Sequence, residues 1–192
     1  MEQIRSFIAI ELPDEVRKVL AHIEAQLKKG RHSCAKWVDP YSIHLTLKFL
    51  GDIAADKIGD ITKTIEKSSQ GIPPLHLEVK ELGVFPNFKR VRVVWVGMSG
   101  EVDRLIQFQK RIEAELAALG FAPESRPFTP HLTLARVREG GSPAEQQNFG
   151  QLIADTKFEA VCGFTADSIS LMRSQLTSQG AIYSRISSVK LK

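Results

Sequence analysis

An eight-residue segment occurs twice in this chain, and that repetition constrains the fold more than any other feature. Pro40-Tyr41-Ser42-Ile43-His44-Leu45-Thr46-Leu47 returns, 87 residues later, as Pro127-Phe128-Thr129-Pro130-His131-Leu132-Thr133-Leu134. Both copies read proline, aromatic, hydroxyl, one free position, then His-Leu-Thr-Leu. Self-similarity at a fixed offset marks a repeated structural unit, and the flanks repeat with it. Residues 7–12 predict a strand and residues 14–28 a helix with Val16, Val19, Leu20, Ile23 and Leu27 on one face. In the second half, residues 91–98 predict a β-branched strand. Residues 101–119 predict a helix carrying Val102, Leu105, Ile106, Ile112 and Leu116, closed by Gly120. Further helices are expected near residues 54–68 and 143–155, and further strands near 75–84, 158–172 and 182–191. Each half therefore runs strand, helix, strand, helix, strand.

A three-stranded sheet with one or two helices buries little apolar surface alone. The expectation is an α+β fold of two lobes related by a pseudo-twofold axis, each an antiparallel sheet with helices on its outer face, and an active-site cleft between the sheets. The whole of residues 1–192 is then one bilobal domain, built from repeats of approximately 4–86 and 90–190.

Strand alternation assigns faces within the repeated motif. Ile43, Leu45, Leu47 and Phe49 fall on one side and His44, Thr46 and Lys48 on the other, with His131 and Thr133 following the same rule. The leucines are the packing side. Packing explains why leucines recur but gives no reason for His and Thr to recur opposite them. Two imidazoles, with an ordinary pKa near 6.5, can divide the roles of neutral base and protonated acid near neutral pH. That pairing suits in-line displacement at phosphorus, where one group takes a proton from water and the other gives one to the departing alkoxide. The threonine hydroxyls can donate to phosphoryl oxygens. A metal site is the sharper rival reading, but two histidines without a neighbouring Asp, Glu or Cys make a thin ligand set. No metal and no cofactor are therefore expected. His22, His32 and His76 have no duplicated neighbours and read as structural or solvated.

Composition narrows the classes further. Hydrophobic residues make up 43% and charged residues 25% of 192, and no apolar run approaches the roughly 20 residues that span a bilayer. The N-terminal stretch lacks the basic, apolar and small-residue regions of a secretory signal, which predicts a cytoplasmic protein. Cys34 and Cys162 show no paired spacing and are expected to be reduced and structural. A net charge of +4, a pI near 9.1 and basic runs at Lys28-Lys29-Gly30-Arg31-His32 and Lys89-Arg90-Val91-Arg92 permit a polyanionic partner without requiring one. No phosphate-binding glycine loop or serine-hydrolase elbow is present.

Two HxTx tetrapeptides about 90 residues apart in a duplicated α+β chain resemble the two-histidine phosphoesterases. More narrowly, the chain resembles the RNA 2′,3′-cyclic phosphodiesterases, historically called 2′-5′ RNA ligases. The supporting segments are Arg5-Ser6-Phe7-Ile8-Ala9-Ile10, Trp37-Val38, the extended motif through Lys48-Phe49-Leu50-Gly51, Arg126 through Arg136, and Arg173-Ser174 with Gly180 and Tyr183. The resemblance implies hydrolysis of a 2′,3′-cyclic phosphate end of RNA to a 2′-phosphomonoester, without metal or nucleotide cofactor, and reversible in principle as 2′-5′ ligation. It implies that His44 is the proton donor to O3′ and His131 the acceptor that activates water. It also implies that Thr46, Thr133 and Arg136 hold the phosphate.

Arg136 conflicts with strict alternation, which turns it to the leucine face unless the strand bulges near Ala135. Lys48 is the cation that alternation selects instead. Phe7 reads as a core residue in preference to a base-stacking platform. Two rival functions share these features: a phosphodiesterase of small cyclic phosphates or 2′-5′ oligonucleotides, and a non-catalytic RNA-binding module. The expected partner is an RNA with a 2′,3′-cyclic phosphate end, not a membrane. A monomer is the expected state.

Overall fold

A computed structural model of the chain describes residues 2–30, 34–138, 142–158, 162–178 and 180–192. His32 lies outside the described residues. The elements run β1 (Gln3–Glu11), α1 (Asp14–Lys28), β2 (Ala35–Trp37), β3 (His44–Ala54), α2 (Ile58–Ser69), β4 (Leu75–Asn87), β5 (Arg90–Gly100), α3 (Val102–Ala117), β6 (His131–Val137), α4 (Pro143–Asp155), β7 (Cys162–Ala166), β8 (Ser168–Thr177) and β9 (Gly180–Lys190). The helices follow local rules. In α1 the residues Val16, Leu20, Ile23 and Leu27 form a buried stripe, with Asp14 and Glu15 at the positive end of the helix and Lys28 at the negative end. In α4 a reciprocal capping box links Ser142 and Glu145.

Two antiparallel sheets result, one ordered β3-β1-β8-β9 and the other β2-β6-β5-β4-β7. The α+β architecture of paired sheets with helices is as expected, but the sheets are not built one per half. β4, from the first half, pairs with β5 and β7 in the second sheet, while β8, from the second half, pairs with β1 and β9 in the first. The cause is local. β4 and β5 are separated only by Phe88 and Lys89, so they close as a hairpin, and consecutive strands joined by so short a link pair with each other. Two further differences concern strand count. The single strand expected over residues 158–172 is instead β7 and β8, divided at Asp167, with residues 159–161 outside the described ones; and the short β2 stands where the sequence pattern marks no strand.

The leucine sides of both His-Leu-Thr-Leu strands enter one continuous core. Leu45, Leu47, Leu132 and Leu134 share it with Val16 and Leu20 of α1, Ile61 and Ile65 of α2, Leu105 and Phe108 of α3 and Phe149 of α4, every one essentially inaccessible to solvent. Removing that much aliphatic and aromatic surface from water is the main stabilising contribution, at roughly 25 cal/mol per Å². The opposite faces of the two sheets stay out of this core, and there the polar members of the motif stand.

Candidate active site

Three irregularities in strand pairing decide which side chains reach the site. Along β1 and β3, Ile8 pairs with Lys48 and Ala9 with Thr46, so Leu47 is an extra residue. Along β5 and β6, Val94 pairs with Ala135 and Trp95 with Thr133, so Leu134 is the extra residue. Each bulge makes two consecutive residues point into the core, Leu47 with Lys48 and Leu134 with Ala135, and reverses the alternation beyond them. A second bulge follows at Leu50, where Gly51 has a φ of +71°, a left-handed backbone that glycine adopts without strain.

The consequence for the two candidate cations is opposite to simple alternation. Arg136 emerges exposed on the side of His131 and Thr133, and its charge acts on both His131 and His44. Lys48 does not lie on the His44 face. It is 3% exposed on the core side, and its ammonium donates to Glu113 Oε2 at 2.9 Å and to the Ala122 carbonyl at 2.6 Å. Phe49 is likewise displaced from the leucine face: it is 60% exposed and stands 6.3 Å, centroid to centroid, from Phe7.

His44 and His131 are held in the same way. Nδ1 of His44 lies 2.9 Å from the Ser42 carbonyl, and Nδ1 of His131 lies 2.7 Å from the Thr129 carbonyl. A carbonyl only accepts, so in both rings Nδ1 carries the hydrogen and Nε2 is left to exchange a proton. Aromatic rings enclose each imidazole. Phe7 stacks on His44 at 4.5 Å and Tyr183 meets it edge-on at 4.9 Å; Phe85 meets His131 edge-on at 5.1 Å, with Trp95 at 6.3 Å. Trp95 lies across Gly83 so closely that a Cβ there would fall 2.2 Å from the indole, so the absence of a side chain at 83 admits the ring. Phe7 is 2% exposed, as a core residue would be, yet it belongs to a separate small cluster with Ala9, Met172 and Tyr183 beneath His44.

These surroundings set the protonation of both rings. Burial lowers the pKa of His44 below its ordinary value; the Ser42 carbonyl and the Glu11 carboxylate oppose that, and Arg136 adds to it. Burial likewise lowers His131, the Thr129 carbonyl opposes, and Arg136 adds to the lowering. Thr46 and Thr133 are half-buried on the same faces as their histidines, two residues on. Among the described residues no group of three or more His, Cys, Asp or Glu side chains is placed to hold a metal ion. His22 pairs with Gln26 on α1 and His76 with Thr165, both away from this site.

The family model of LigT-like phosphoesterases matches residues 10–95 and matches again over residues 96–183. The chain belongs to the LigT-like phosphoesterase family. It is 32% identical over 181 residues to a Methanothermobacter thermautotrophicus protein named RNA 2′,3′-cyclic phosphodiesterase, covering 94% of this chain and 95% of that one. A Thermotoga maritima protein of the same name is 34% identical over 180 residues, covering 94% and 91%. The crystal structure of Escherichia coli LigT complexed with 3′-AMP superimposes with a TM-score of 0.76 at 25% identity, covering 99% of both chains.

Four residues beside the histidines have no role in the sequence reading: Glu11 and Tyr183 next to His44, and Phe85 and Trp95 next to His131. Tyr183 enters the sequence reading only among the residues that carry the family resemblance, and Glu11 does not enter it. Extending alternation forward from Phe7 through Ala9 places Glu11 on the same face and is the signal that finds it.

Proposed function

We propose that this LigT-like phosphoesterase hydrolyses the 2′,3′-cyclic phosphate end of RNA to a 2′-phosphomonoester and a free 3′-hydroxyl by metal-independent acid–base catalysis. The observation that carries this reading is the matched pair of imidazoles, each with Nδ1 committed to a carbonyl two residues back and Nε2 left for proton transfer. His131 Nε2 takes a proton from water as the water oxygen bonds to phosphorus. The P–O3′ bond breaks, and His44 Nε2 gives its proton to O3′. Arg136, Thr46 and Thr133 hold the non-bridging oxygens, where developing charge is stabilised by preorganised donors. The names of the curated relatives and the nucleotide complex of the Escherichia coli protein support this substrate class.

The twofold family match and the shared placement of β3 beside β1 and β6 beside β5 support a single bilobal domain derived by duplication. Among the described residues no helix is long and apolar enough to cross a membrane, and the proposed setting is the cytoplasm, with the chain acting as a monomer.

The test is to incubate the protein, with chelator present, with an RNA ending in 2′,3′-cyclic phosphate and to identify the phosphate position in the product. A 2′-phosphate formed in chelator is expected; loss of activity in chelator overturns the metal-free mechanism. Running a cyclic mononucleotide beside the RNA separates the small-substrate reading. His44→Ala and His131→Ala should each lower the rate by at least roughly 10²-fold, and near-normal activity in either overturns the two-histidine assignment.

A further inference from the structure

The two histidines share a motif, a carbonyl partner and an aromatic enclosure, but the residues across the neighbouring strand differ. Glu11 of β1 pairs directly with His44, whereas the residue of β5 that pairs with His131 is Gly97. The Glu11 carboxylate is fixed in place. It accepts from Arg185 Nε at 2.7 Å and from a second Arg185 nitrogen at 3.0 Å, and the Ser170 hydroxyl donates to it at 2.6 Å. Ser170 in turn lies 3.4 Å from the Ser188 hydroxyl. Strands β8 and β9 therefore each contribute a residue to holding the carboxylate that β1 presents on the His44 side of the sheet.

We propose that Glu11 is a positioning residue that separates the roles of the two histidines, setting a permanent negative charge across the strand pair from His44, where the strand partner of His131 is the uncharged Gly97. This rests on the two-histidine reading above, and it supplies the asymmetry that a duplicated motif lacks. A nearby anion favours the imidazolium, so Glu11 keeps His44 competent to donate a proton while His131, with no such neighbour among the described residues, stays a neutral acceptor. The charge is dependable. The Arg185 hydrogen bond is the largest influence on Glu11 and holds its carboxyl below the usual carboxylate range, so it stays ionised wherever an imidazole titrates. The other groups around His44 do not duplicate this role. Phe7 from β1 is apolar, Tyr183 from β9 presents a ring edge, and Arg136 from β6 acts on both histidines with the sign opposite to that of Glu11.

The experiment is a site-resolved NMR pH titration of both imidazoles in the free protein, paired with pH–rate profiles. In Glu11→Gln the His44 midpoint should move down and the His131 midpoint should hold. In Arg185→Gln, which strips the carboxylate of its counter-charge, the His44 midpoint should move up. That reversal of sign is what a charge effect produces and a general loosening of the sheet does not, and Glu11→Asp should restore most of the wild-type midpoint. In the rate profile, Glu11→Gln should lose about 3- to 10-fold in kcat above neutral pH, as expected if the acid gives up its proton earlier. Equal movement of both midpoints, or shifts of one sign in both variants, overturns the proposal. The titration needs no substrate, so a failure of the proposed RNA activity is read separately, from the product assay.

Discussion

At the scale of single residues, Arg136 carries the greatest weight after the histidines, because it is the cation whose charge acts on both. A guanidinium can offer parallel hydrogen bonds to two phosphoryl oxygens, and an ammonium cannot reproduce that geometry. Arg136→Ala is therefore expected to lower kcat/KM for a cyclic phosphate by about 10²-fold, with Arg136→Lys recovering only part of it, as measured by steady-state kinetics. An unchanged kcat/KM would mean that the phosphate is held elsewhere. The histidines were legible from the motif alone, since nothing in packing explains why an imidazole recurs opposite alternating leucines. Arg136 was not legible from alternation, because whether position 136 faces the site depends on one extra residue at Leu134, and pairing with β5 is what reveals it.

At the scale of elements, the bulge at Leu47 converts Lys48 from a cleft cation into a tie between β3 and α3. Its ammonium is buried against Glu113, with the Ala122 carbonyl as a second acceptor and Glu124 3.8 Å away. Glu113 also accepts from Gln109, whose amide donates to the Leu47 carbonyl, so the helix is fastened to the bulge on both sides of the chain. Removing one member of a buried pair strands the other, at a cost of about 3 kcal/mol. Lys48→Ala should lose stability of that order in urea denaturation while the folded variant keeps its KM for a cyclic phosphate. A raised KM with unchanged stability would return Lys48 to the cleft. The sequence contains the residues of this tie, but they are separated by 65 positions, and no local pattern announces their meeting.

At the scale of the whole molecule, the exchange of β4 and β8 between the sheets makes each half depend on the other. A fragment of residues 1–88 would leave β1 without β8 and β4 without β5, with long unpaired edges and an incomplete core. Each half expressed alone should show no cooperative unfolding transition by circular dichroism, and mixing the two halves should restore both the transition and activity; a half that folds alone would contradict this coupling. Read by itself, the sequence determined that the chain is repeated, that its elements alternate between strand and helix, and that His44, Thr46, His131 and Thr133 share faces opposite the leucines. Those are properties of short-range periodicity. Tertiary structure decided which strands pair across the halves, where the extra residues turn Arg136 outward and Lys48 inward, and that Glu11 rather than a glycine stands across from His44. Apart from the β4–β5 hairpin, each of these depends on backbone hydrogen bonding between segments far apart in the chain, where a one-residue change of register moves a side chain from one face to the other.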